Sequence, residues 1–113
     1  IVHMHSDGDV RTLAEDLLEI GVQVLNIQDL VNGIEWLRDN LKGRVCIDLD
    51  IDRQKVTVHG TPAEVDELVR YEIQELGDPA GGLLMIYGLY PGVPLKNAAA
   101  LMNAMEKYRE IRG

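Results

Sequence analysis

Four short apolar runs, each followed by a stretch with helical spacing, constrain this chain more than any other feature. The runs cover 1–6, 22–27, 44–51 and 83–87. After the first, Val10, Leu13, Ala14, Leu17 and Leu18 recur on one helical face opposite Glu15, Asp16 and Glu19, which predicts a helix over 10–20 stopped by Gly21. A second helix is predicted over 31–41, with Ile34, Leu37 and Leu41 on one side and Gly43 behind it. A polar connector then runs to Gly60. Thr61-Pro62-Ala63-Glu64 is a capping box with proline at the first helical position, and the helix it opens carries Val65, Leu68, Val69, Ile73 and Leu76 before Gly77. Asp78-Pro79-Ala80-Gly81-Gly82 is a turn, Gly88 to Val93 is a loop, and Pro94 opens a last helix with Leu95, Ala98, Leu101, Met102, Met105 and Tyr108 inward.

The order βαβαβαβα predicts an α/β fold with a parallel sheet, strands in sequential order and helices on the outer face only. Four βα units are half of a (β/α)₈ TIM-type barrel. Four parallel strands do not close on themselves, so their edges need a cover: a missing N-terminal half barrel or a second copy in a homodimer. The chain begins at Ile1, already inside a strand-like run, which fits a piece of a longer protein. The run 83–87 is apolar throughout and is expected to be buried on both faces.

Charge and composition narrow the partners. The 113 residues carry a net charge of −8 and no basic run, which argues against nucleic acid, because phosphate binding needs clustered Lys and Arg. No apolar run approaches the roughly 20 residues that a membrane span requires. One cysteine, Cys46, excludes an internal disulfide and a cysteine-rich zinc site, and a cytoplasmic location follows as the expectation.

In parallel α/β sheets the chemistry lies at the carboxyl ends of the strands, and polar residues gather there in this chain. Within the first strand His3 and His5 share a face opposite Val2 and Met4, and Asp7-Gly8-Asp9 ends it. His5, nearer the strand end, is the candidate metal ligand, with Asp7 as a carboxylate that could join it; the alternative is a pair of hydrogen-bonded histidines. Asp7 is also a candidate substrate contact or a cap, and Asp9 is expected to be a cap. In the third strand Val45, Ile47, Leu49 and Ile51 alternate with Cys46, Asp48, Asp50 and Asp52. Carboxylates on one face repel unless water, a cation or an arginine intervenes, so Asp50 and Asp52 are candidate catalytic groups, and Arg53 is a candidate clamp for a substrate carboxylate. Gln28, with Asp29 beside it and Asn26 one step deeper, ends the second strand as a candidate substrate contact. Tyr87 is a third candidate catalytic group, a phenol that can donate a hydrogen bond to a bound carboxylate or carbonyl. Tyr90, Trp36 and Cys46 are expected to pack, and His59-Gly60 to be loop.

Several pieces in order resemble the C-terminal half of the uroporphyrinogen decarboxylase family. They are Ser6-Asp7-Gly8 with Glu19-Ile20-Gly21, Gly43-Arg44-Val45, Leu49-Asp50-Ile51-Asp52, Gly60-Thr61-Pro62 with Glu64-Val65, and Gly88-Leu89-Tyr90-Pro91. The resemblance spans nearly all of 1–113 and implies a (β/α)₈ barrel. It also implies a lyase that removes carboxylates from a tetrapyrrole, in porphyrin biosynthesis, without metal or organic cofactor. Related members transfer methyl groups between corrinoids or substrates and thiols, using zinc. Where the decarboxylases carry a Gly-His pair this chain has Ile86-Tyr87, so the resemblance puts Tyr87 in the place of a substrate-contacting histidine. Where the zinc methyltransferases carry His-x-Cys-Gly it has His5-Ser6-Asp7-Gly8, keeping the imidazole without the thiolates. The expectations are therefore a decarboxylase acting on a small anionic substrate, a metal-dependent methyltransferase, or a non-catalytic half barrel that self-associates.

Overall fold

The computed structural model describes residues 1–110. Four strands, β1 (His3–Ser6), β2 (Val24–Gln28), β3 (Cys46–Asp50) and β4 (Leu83–Ile86), form one sheet in the order β1-β2-β3-β4, all parallel. Six helical segments lie between and after them: α1 (Ala14–Glu19), α2 (Asp29–Asn32), α3 (Ile34–Asn40), α4 (Val56–His59), α5 (Pro62–Leu76) and α6 (Leu95–Tyr108). None of the described helices is long and apolar enough to cross a membrane.

The strand register sorts the side chains into two faces. Met4, Leu25, Ile47 and Leu83 stand in one row, and Ser6, Ile27, Leu49 and Met85 in another on the same face. These rows pack on Ala14 and Leu17 of α1, Ile34 and Leu37 of α3, and Leu76 of α5. Ile51 continues this face into a second cluster with Val65, Val69 and Ile73 of α5 and Leu101 and Ala104 of α6. Burying a leucine or isoleucine side chain stabilises by roughly 1.5–3 kcal/mol, so the helices are held to this face by apolar burial. The other face carries the rows His3–Val24–Cys46, His5–Asn26–Asp48–Leu84 and Gln28–Asp50–Ile86.

The capping box forms as expected: Thr61 Oγ1 accepts from the Glu64 N–H at 3.2 Å and the Glu64 carboxylate accepts from the Thr61 N–H at 3.0 Å. Other boundaries move for identifiable reasons. The helix expected over 10–20 starts only at Ala14. The Asp9 carboxylate takes the Arg11 N–H and the Asn32 side chain takes the Val10 N–H, so 10–13 is held as a turn. The helix expected over 31–41 starts at Asp29 and is divided at Gly33, whose φ of +87° has no helical continuation. The connector before Gly60 contains α4. β4 is not buried on both faces: Leu84 and Ile86 are 52% and 43% exposed, because the helices cover only the Leu83 and Met85 side.

Candidate functional site

Parallel strands bring Asp7, Gln28, Asp50 and Arg53 to one rim, since each lies in the last residue of a strand or just beyond it. Arg53 is the hub. Its Nη1 donates to Asp50 Oδ2 at 3.1 Å and its Nη2 to Asp7 Oδ1 at 3.3 Å, so one guanidinium bridges the ends of β3 and β1. The Tyr90 ring stacks on the guanidinium, 4.7 Å from carbon to centroid. Gly88 makes that approach possible: a Cβ there would lie 2.8 Å from the Tyr90 ring and 3.4 Å from Arg53 Nη1. Gln28 Nε2 and His5 Nε2 also reach Asp7 Oδ1, at 3.4 and 3.2 Å.

The orientation of His5 is set from below. Asn26 Nδ2 donates to the Asp48 carbonyl at 2.9 Å, which turns Asn26 Oδ1 toward His5 Nδ1 at 2.5 Å. Nδ1 therefore carries the proton in that bond and Nε2 points at Asp7. A histidine held this way at one nitrogen presents the other to a carboxylate, a proton or a metal. Further down the face His3 Nε2 lies 3.3 Å from Asp48 Oδ2. Cys46, beneath Asp48, has its thiol pushed up by burial first and by the Asp48 charge second. Among the described residues no group of three or more His, Cys, Asp or Glu side chains is arranged to hold a metal ion.

Asp50 is the most constrained carboxyl of the rim. It is buried, Oδ2 is taken by Arg53, and Oδ1 has no hydrogen-bond partner. Burial raises its pKa and the Asp7 charge adds to this, while Arg53 and His5 pull it down. The result is a buried carboxyl whose pKa is raised by burial against the pull of an adjacent cation, an arrangement suited to proton transfer.

The rim does not gather every residue expected there. Asp52 leaves the face it was expected to share with Asp48 and Asp50. β3 ends at Asp50, and the Asp52 carboxylate accepts the backbone N–H groups of Gln54, Lys55, Val56 and Thr57 at 2.6–3.3 Å, so it builds the turn into α4. Tyr87 points the other way. It continues the Leu83–Met85 side of β4, packs against the cluster under α5 and α6, and buries a hydroxyl with no partner. The phenol at the rim is that of Tyr90. Three buried polar residues that support this region carry no motif. Asn32 accepts from the Val10 N–H at 2.9 Å and donates to the Gln28 carbonyl at 2.9 Å, tying the loop after Asp7 to the end of β2. Asn97 donates to the Thr57 and Gly60 carbonyls at 3.0 and 2.9 Å. Glu72 is fully buried in α5. An asparagine or glutamate at an inward helical position is the one signal that points to them.

Fold and rim together define an α/β chain with a four-stranded parallel sheet, helices on one face and an ionisable cluster on the other, open at the carboxyl ends. No protein-family model and no curated protein matches this chain.

Proposed function

We propose that the chain is the C-terminal half of a uroporphyrinogen decarboxylase-like (β/α)₈ barrel. It would form a cytoplasmic carboxy-lyase that removes carboxylate from an anionic, tetrapyrrole-like substrate. Sequential parallel strands with helices on one face are what half of such a barrel requires, and the face that the helices leave uncovered would form its interior. Leu84 and Ile86, exposed beside Asp48 and Asp50, would be covered by the other half barrel or a second copy.

The observation that carries the lyase reading is Arg53, held between Asp50 and Asp7 under Tyr90. To receive a substrate carboxylate in bidentate fashion this guanidinium would exchange its bond to the exposed Asp7 for one to substrate. Loss of carbon dioxide from an acetate side chain consumes one proton: the C–C bond breaks, its electrons pass into the attached ring, and a proton ends on the new methyl carbon. Asp50, its pKa raised by burial, is the acid in this scheme, with Asp7 and Gln28 facing pyrrole N–H and carboxylate groups. The scheme needs no metal or organic cofactor.

The orientation of His5 favours one second reading, a metal-dependent methyltransferase in which His5 Nε2 and Asp7 would hold zinc with ligands from the rest of the barrel. Purified full-length protein separates the two. Labelled carbon dioxide released from a carboxyl-labelled porphyrinogen, unaffected by chelator, supports the lyase. Stoichiometric zinc with no such release supports the transferase and ends the lyase reading.

A further inference from the structure

On the helix side of the sheet lies a second carboxyl cluster, separate from the rim. Glu72 sits in the middle of α5 with no exposed surface, and no N–H or hydroxyl donor among the described residues reaches either of its oxygens. Its polar neighbour is the Asp29 carboxyl at the β2–α2 junction, itself 1% exposed. The charged groups acting on the pair are Asp29 from that junction, Glu72 from α5 and Asp52 from the segment after β3, all of one sign. Two carboxylates in contact, buried and without a cation, cannot both be ionised; a proton between them converts the repulsion into a hydrogen bond. The protein decides which of the two keeps the charge. Asp29 Oδ1 accepts the Leu30 N–H at 2.5 Å and Oδ2 accepts the Asp52 N–H at 3.0 Å, which suits the anion, whereas Glu72 receives nothing and suits the acid.

We infer that Glu72 is a neutral acid that donates its proton to Asp29, and that this pair is the positioning device for the rim. Asp29 grips the Asp52 N–H, one residue from Arg53 and two from Asp50. Glu72 thus acts through Asp29 on the backbone that carries the rim's cation and its buried acid. The inference concerns the architecture under the rim and stands whether the rim is a lyase, a transferase or neither.

The first test needs no variant. In the full chain, the Glu72 side-chain carboxyl carbon, followed by ¹³C NMR, is expected to keep the shift of a protonated acid through neutral pH. Titration of Glu72 in the ordinary glutamate range overturns the proposal. The second test separates positioning from bulk packing. Glu72→Gln retains an N–H donor toward Asp29, whereas Glu72→Met keeps the volume and loses the donor. Amide exchange of Asp52 is expected to stay near the wild-type rate in Glu72→Gln and to accelerate by about tenfold or more in Glu72→Met, with the Leu49 amide in β3 much less affected. Equal acceleration at both amides, equal effects of the two substitutions, or no acceleration in Glu72→Met would each refute positioning by a donated proton.

Discussion

The two sides of the sheet solve the same electrostatic problem in different ways. At the rim, Asp7 and Asp50 approach each other and an arginine stands between them; solvent reaches Asp7, whose side chain is 64% exposed, and the cluster can exchange partners. Under the helices, Asp29 and Glu72 approach each other with no cation, and a proton is the remaining way to balance them. A cation-balanced cluster open to water can bind and release a ligand. A proton-balanced cluster sealed in the core can only hold position, and it becomes sensitive to pH. Asp52, between the two, does neither: its carboxylate is spent on backbone N–H groups. Two acidic residues of one segment thus part ways: Asp50 faces the rim and Arg53, and Asp52 builds the turn into α4.

The largest expected effect is on activity. If the lyase reading holds, Asp50→Asn in the full-length protein lowers turnover by roughly 10²–10⁴-fold, the usual contribution of a positioned acid. Its folding stability should stay level or rise, because burial disfavours the charge that the substitution removes. Turnover and urea denaturation measured on one preparation check both halves; unfolding with full activity per folded molecule would make Asp50 structural.

Asp52→Ala should do the reverse. It strips acceptors from the N–H groups that open α4 and is expected to cost about 2 kcal/mol in urea denaturation, well above the effect of Asp50→Asn. A cost no larger than that of Asp50→Asn would erase the distinction drawn between them.

The pH dependence sharpens the contrast further. Glu72, whose pKa burial raises well above its ordinary value of 4.5, stabilises fully below that value. That contribution is lost as pH rises toward and through the raised value. Thermal midpoints should therefore decline as pH rises above the ordinary glutamate value, and Glu72→Gln should flatten that decline. A slope identical in the variant would place the pH sensitivity elsewhere. The smallest effect belongs to the exposed end of the rim: Asp7→Asn should change stability by no more than about 0.5 kcal/mol in the same denaturation experiment, since water screens its pairing with Arg53.

The sequence alone determined the four strands, their alternation with helical segments and the two faces of β3, but not α4 or the break at Gly33. Alternation of Val45, Ile47, Leu49 and Ile51 with Cys46, Asp48 and Asp50 is a local property of an extended chain, and the structure keeps it. The capping box was legible for the same reason: it closes within four residues. Bringing Asp7, Gln28, Asp50 and Arg53 to one rim followed from parallel topology alone, because strand ends in such a sheet share a side. Asp52 and Tyr87 were out of reach. Period-two alternation holds only while the strand lasts, and where β3 ends, the free N–H groups of the next turn claim the Asp52 side chain. Tyr87 follows the buried side of β4, which was not distinguishable in a run apolar throughout. The contact between Asp29 and Glu72 was decided by tertiary structure as well. It joins the end of β2 to the middle of α5, two segments distant in the chain, and its chemistry exists only because packing removes water from both carboxyls at once.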